Sequence, residues 1–147
     1  MNLPELKIGK LVAQVPIIQG GMAIRLSTAP LAAAVANEGG IGLIAASGMG
    51  LDELRKEIRM ARELTGGKGI IGINAMVAAR QFLDLITTAA EEGIDLIVAG
   101  AGFSRDIFAV GRRYGVEVVP IVSSARLAQT AEKLGASAVV VEGTEAG

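Results

Sequence analysis

Residues 39–74 read GGIGLIAASGMGLDELRKEIRMARELTGGKGIIGIN, and this stretch decides the fold. Ile41 to Ala45 and Ile70 to Asn74 are short aliphatic runs. Between them Leu51, Leu54, Ile58, Ala61 and Leu64 recur at helical spacing behind Asp52, a candidate N-cap, and Gly66 supplies a left-handed stop. Neither run alternates between apolar and polar residues, which is how a strand covered on both faces reads in a parallel sheet. Strand, helix, strand in that order is one βαβ unit, whose crossover is right-handed.

The pattern spreads outward in both directions. Further runs lie at Val15 to Gln19, Asp95 to Ala99, Glu117 to Val122 and Ala138 to Glu142. The six runs are spaced roughly 20 to 30 residues apart, the length a βα unit needs. Phe82, Leu83, Ile86, Ala89 and Ala90 form a second apolar stripe before Gly93. Ser104 opens a third containing Ile107, Phe108 and Tyr114, and Ser124 opens a fourth containing Leu127, Ala128, Ala131 and Leu134. The first helix follows Ser27, Thr28, Ala29 and Pro30, where hydroxyl caps precede a proline in the first turn. Its body, LAAAVA, is small enough to sit close against a sheet.

Six parallel strands and five helices make an α/β protein, and periodicity leaves two architectures open: an open doubly wound sheet, or an incomplete TIM (β/α) barrel. A complete barrel takes eight units and about 250 residues. No linker or low-complexity tract interrupts residues 1–147, so one domain is expected.

Composition narrows the chemistry. Among 147 residues there is no Cys, no His and no Trp. Thiol nucleophiles, disulfides, imidazole bases and the usual zinc ligands are therefore absent. Fourteen Lys+Arg against fifteen Asp+Glu give a net charge of −1, with 3% aromatic residues, which argues against a nucleic-acid partner. No uncharged stretch reads as a signal peptide or membrane span, so the expectation is a cytoplasmic protein that acts on a small molecule.

Ligands of such folds bind beyond the C-terminal ends of the strands. Those ends carry Gln19-Gly20-Gly21-Met22-Ala23, Ala46-Ser47-Gly48-Met49-Gly50, Asn74-Ala75-Met76, Ala99-Gly100-Ala101-Gly102, Ser123-Ser124 and Glu142-Gly143-Thr144-Glu145. Any one glycine there more simply serves a turn than a ligand, and it is Gly20 and Gly21 together with Gly100 and Gly102 that point toward a ligand. Asn74 differs, because an amide that ends the run Ile70-Ile71-Gly72-Ile73 needs a partner, from the protein or from a ligand. Gly67, Gly69 and Gly72 spell G-x-G-x-x-G, and Gly40, Gly42 and Ala45 its alanine variant. Both precede or enter a strand, whereas a dinucleotide fingerprint follows one. Glu142 and Glu145 could hold a cation, though two loop acids are more simply solvated charges, and no metal site is expected.

PIIQGGMA (Pro16 to Ala23), ANEGGIGLIAA (Ala36 to Ala46), GIN (Gly72 to Asn74) and VVVEGTEAG (Val139 to Gly147) together resemble the nitronate monooxygenase family, formerly 2-nitropropane dioxygenases, which includes FMN-dependent enoyl-ACP reductases. The resemblance implies a TIM barrel with FMN at its C-terminal mouth, of which this chain is the N-terminal part. It implies that Gly21 and Met22 lie against the flavin through backbone groups and that Asn74 hydrogen-bonds the ring edge. Ala99, Gly100 and Ser123 would border the flavin or substrate space, and Glu142 would support it. Members of the family continue after the matched Glu-Ala-Gly with a glycine and the histidine that resembles a catalytic base. That histidine would lie beyond Gly147, so no catalytic residue is assigned, and weak FMN binding with little turnover is expected of the chain alone. The activity implied is oxidative denitrification of alkyl nitronates. Enoyl-ACP reduction, a non-catalytic fragment that associates with further copies through open strand edges, and a phosphate-ligand module on an open sheet remain alternatives.

Overall fold

The computed structural model describes residues 3–145. Two short antiparallel strands, β1 (Leu6–Ile8) and β2 (Leu11–Ala13), open the chain as a hairpin. The βα succession follows: α1 (Ala29–Asn37), β3 (Ile41–Ala45), α2 (Leu51–Leu64), β4 (Ile70–Met76), α3 (Phe82–Glu91), β5 (Leu96–Gly100), α4 (Asp106–Tyr114), β6 (Glu117–Val122), α5 (Ala125–Leu134) and β7 (Val140–Val141). The parallel sheet runs β3-β4-β5-β6-β7 in strict sequence order. A sequential order has no switch point, so the doubly wound alternative is excluded and the fold is an incomplete (β/α) barrel.

Two apolar clusters define its faces. Residues of all five helices pack with Ile44, Ile71, Ile73, Ile97, Ala99 and Val118 in an outer core. Ile41, Leu43, Leu96, Val98 and Val119 form an inner core, which Ile8 and Ala13 of the hairpin close from below. Glu117, at the start of β6, fastens that hairpin. Its carboxylate accepts from the Lys10 amide at 3.0 Å and from the Ser137 hydroxyl, while Lys10 Nζ donates to the Gly115 carbonyl.

The expected first barrel strand, Val15 to Gln19, is reduced to a single parallel bridge between Ile18 and Ile41. It follows β3 only through Gln19 N to Ile41 O and Ile41 N to Ile17 O, because Pro16 has no N–H to give and Ile17 N turns back to Val15 O. The hairpin was not among the expected elements. Asp95 precedes β5 instead of opening it, β4 runs two residues further than expected, and β7 keeps only the centre of the Ala138 to Glu142 run.

The caps differ from expectation in two helices. Gly50, not Asp52, is the N-cap of α2, and Asp52 stands in the first turn. Thr28 holds the N-cap position of α1 but its hydroxyl caps nothing. Glu57 of α2 reaches across instead and accepts from the Ala29 amide at 2.6 Å. Ser124 caps α5 as expected, accepting from Leu127 N, and α4 and α5 end on Gly115 and Gly135 in the left-handed conformation. Gly42 and Gly72, one from each glycine-rich string, prove to be packing devices. A Cβ on Gly42 would stand 1.9 Å from the Ala32 carbonyl oxygen of α1, and one on Gly72 would stand 2.5–2.6 Å from the Leu96 and Leu43 side chains.

Candidate active site at the strand C-termini

Pairing register decides what faces the mouth. Ala45, Asn74 and Val98 lie in one row and Val98 pairs with Val119, so Asn74 stands on the inner face above the Leu43, Gly72 and Leu96 row. Met76 and Gly100 pair one row higher. Ala99, one residue before Gly100, points the other way and packs among the helices, so only its backbone borders the mouth. Gly100 is on the inner face against Ile121, whose Cδ1 would be 2.8 Å from an added Cβ.

Over Asn74 lies the loop that connects the bridged segment to α1. A Cβ on Gly21 would fall 2.4 Å from Asn74 Cβ and 2.8 Å from its Nδ2, so only glycine lets the chain cross there. The Asn74 side-chain amide has no hydrogen-bond partner among the described residues, nor do the Gly20 and Gly21 backbone amides. The Asn74 carbonyl is used in the sheet, accepting from Ala46 N, and Ser47 Oγ accepts from Met76 N at 2.8 Å. A polar amide and two backbone donors thus meet open space at one point of the mouth.

Past the glycines the loop exposes Met22, Ile24 and Leu26, the last two by 74% and 64%. Arg25 secures its far side to α2 through a bidentate ion pair with Glu53, at 2.8 and 3.1 Å. The hydrogen bond from Arg25 holds the Glu53 carboxyl below the usual range, with a smaller contribution from the Gly50 amide. This outer edge of the mouth is an apolar lip held by one charged clasp.

The other half of the mouth is a cavity of about 270 Å³ lined by Ala101, Gly102, Phe103, Ile121, Ser123 and Glu142 among others. Ala101 takes φ +52, a left-handed conformation costly for a residue with a Cβ, at the point where the chain leaves β5. Of the residues expected at the site, the structure therefore brings Gly21 to Asn74 and Ser123 to Glu142, with Gly100 between the two groups through Ile121. Met22 lies on the lip. Ala146 and Gly147, which end the VVVEGTEAG stretch, lie outside the described residues. A larger depression of about 450 Å³ opens at the opposite end, lined by Gln14, Asn37, Glu38, Thr65 and Lys68. It precedes β3 and β4, the wrong end of parallel strands for chemistry. No group of three or more metal-ligating side chains occurs among the described residues, and no described helix is long and apolar enough to cross a membrane.

Residues 5–147 match the family model described as nitronate monooxygenase. The chain belongs to this family. Within the nitronate monooxygenase fold, it superimposes on FabK from Thermotoga maritima with a TM-score of 0.84 and 37% identity, over 90% of this chain and 42% of that one. It superimposes on a nitroalkane oxidase from Streptomyces ansochromogenes with a TM-score of 0.80 and 26% identity, over 92% of this chain and 48% of that one. A curated relative from Mycobacterium tuberculosis, (3aS,4S,5R,7aS)-5-hydroxy-7a-methyl-1-oxo-octahydro-1H-indene-4-carboxyl-CoA dehydrogenase, is 30% identical over 90% of this chain and 36% of its own length. The chain thus spans less than half the length of these relatives.

Two residues at the mouth escaped sequence reading. Local spacing casts Ser27 as a helix cap, yet its hydroxyl is fully buried and serves the Gly20 to Met22 loop. Gln19, read only as a strand end, bonds that hydroxyl and the β3 backbone. A polar side chain that must be satisfied by three-dimensional neighbours leaves no trace in local spacing.

Proposed function

We propose that these residues form the ring-side half of an FMN site in an oxidoreductase of the nitronate monooxygenase type that oxidises alkyl nitronates. One observation carries the reading: the unpartnered Asn74 amide lies against the backbone of Gly21, where there is no room for a side chain. A side-chain amide offers one acceptor and two donors, which suits the alternating carbonyl and N–H groups of an isoalloxazine edge. Family membership and the flat, glycine-floored approach support the same ligand.

Bound FMN supplies the two-electron redox step, which no side chain of this composition performs. Asn74 would orient the ring by its edge, the Gly20 and Gly21 amides would approach it without a steric barrier, and Met22 with the Ile24 and Leu26 lip would limit water. Ser123 and Glu142 would border the substrate's side of the mouth.

Titration of FMN into the protein, followed by quenching of flavin fluorescence, tests the assignment. Asn74→Ala should weaken binding by about tenfold, the worth of one or two hydrogen bonds in a partly buried site. Flavin emission unchanged up to millimolar FMN, or an unaltered affinity in the variant, refutes it. Anaerobic bleaching of the bound flavin by a nitronate identifies the substrate. A second reading, reduction of an enoyl thioester, is favoured by the exposed apolar lip and by similarity to a dehydrogenase named for a carboxyl-CoA. Bleaching by a nicotinamide donor with turnover of an enoyl thioester, and not by nitronate, would select it.

A further inference from the structure

We infer that Ser27 is a positioning residue whose buried hydroxyl fixes the Gly20 to Met22 backbone in the shape that receives the flavin ring, an inference that rests on the flavin reading above. Two adjacent glycines are the most conformationally free pair a loop can contain, and an added ligand would have to order them at its own cost. Here that ordering is done by the protein before any ligand arrives.

The bonds around Ser27 show how. Its Oγ accepts from Met22 N at 2.8 Å and from Gln19 Nε2 at 2.9 Å, and donates to the Gly20 carbonyl at 3.3 Å. A hydroxyl has one donor and two acceptor sites, and all three are engaged. The Ser27 backbone is held as well. Its N–H donates to Met22 O at 3.0 Å, and its carbonyl accepts from Ala45 N of β3 at 2.9 Å. Gln19 completes the frame, since its Oε1 accepts from Leu43 N, also of β3, at 3.1 Å while its Nε2 reaches Gly20 O.

The loop is therefore referenced to the rigid strand that lies beside Asn74, not merely to itself. Both carbonyl and amide groups that flank Gly21 are tied inward, at Gly20 O and Met22 N, which leaves the Gly20 and Gly21 N–H groups as the donors without partners. Ser27 has 0% exposure and lies beneath the loop, so it acts on a ligand only through that backbone. No other hydroxyl among the described residues is bonded to both Gly20 and Met22.

Ser27→Ala and Ser27→Thr separate positioning from bulk. Amide hydrogen exchange without FMN should show Met22 exchanging about tenfold or more faster in Ser27→Ala, with protection in β3 to β6 unchanged. FMN affinity should fall about tenfold in the same variant, and Ser27→Thr, which keeps the hydroxyl, should restore both. Should Ser27→Ala fail to fold, Ser27→Cys, of similar shape but a weak hydrogen-bonder, carries the same two readouts. Wild-type FMN affinity in a variant whose Met22 amide is released overturns the inference and leaves the flavin reading standing. Lost affinity with unaltered Met22 exchange overturns it too, since Ser27 would then act elsewhere. Failure of the wild-type protein to bind FMN overturns the flavin reading and this inference with it.

Discussion

Gly42→Ala tests the joint on which the first βα unit depends. The added Cβ would lie 1.9 Å from the Ala32 carbonyl oxygen, 2.5 Å from its carbon and 2.7 Å from Ala32 Cα, whereas ordinary contact starts at 3.4 Å. Backbone cannot rotate aside as a side chain can, so α1 must retreat from β3 by about 1.5 Å. That movement unpacks the face made by Ala29, Ala32, Ala33 and Ala36, all at most 6% exposed. Four methyl groups at about 0.8 kcal/mol each give a loss of about 3 kcal/mol, at the upper end for overpacked cores. In a domain of this size that lowers Tm by about 10 °C. Thermal and urea unfolding followed by circular dichroism measure it. Gly72→Ala should cost less, about 1 to 2 kcal/mol, because the Leu43 and Leu96 side chains that it meets can adjust. Gly20→Ala, with no atom within 4 Å of the new Cβ, should stay within about 0.5 kcal/mol of wild type. A Gly42→Ala protein as stable as Gly20→Ala would mean that α1 does not rest on β3 as described.

Two further outcomes follow from the charged contacts. Glu117→Ala removes the acceptor for Lys10 N and Ser137 Oγ, so the hairpin should open locally at a cost of about 1 to 2 kcal/mol, and trypsin should cut at the exposed Lys7 and Lys10 about tenfold faster. Unchanged cleavage would show that the inner apolar contacts alone hold the hairpin. Glu92 is held below the ordinary glutamate range, first by its hydrogen bonds from Arg59 at 2.7 Å and then by the charges of Arg59 and Arg55. A carboxyl with a lowered folded pKa stabilises above its unfolded value and ceases to as pH falls through the folded one. The stability gap between wild type and Glu92→Gln should therefore be present at neutral pH and close below about pH 4. A gap that persists in acid would assign the effect to packing instead of charge.

The βα succession was legible because burial on both strand faces and helical spacing are properties of local sequence. What escaped is what depends on parity or on distant partners. In Leu96-Ile97-Val98-Ala99-Gly100 every residue is buried, so nothing in the run tells which of Ala99 and Gly100 faces inward. Pairing with β4 decides it, since Met76 lies opposite Gly100 and Asn74 opposite Val98. The hairpin was missed for a different reason. Leu6-Lys7-Ile8 and Leu11-Val12-Ala13 are too short to register as strands alone, and they hold only because Ile8 and Ala13 cap the inner core while Glu117 grips the turn between them.

Ser27 shows most directly why the site was harder to read than the fold. A serine two residues ahead of a helix and three ahead of a proline, next to Thr28 at the N-cap position, sits where local rules look for a capping hydroxyl. Capping would require its Oγ to meet the free amides of the first turn, but Met22 N, Gln19 Nε2 and Gly20 O already use all its capacity. The first-turn amide of Ala29 is satisfied from the next helix by Glu57, at 2.6 Å. One exchange of partners thus frees a hydroxyl from secondary structure and commits it to the mouth. Glu57→Ala removes that substitute. If the loop holds Ser27 by its own bonds, the variant should weaken α1 by about 1 kcal/mol, as a lost cap does, while leaving the Met22 amide protected. Release of Met22 in Glu57→Ala would instead mean that Ser27 had moved back to the helix, and that the loop is held only as long as α1 is capped by its neighbour.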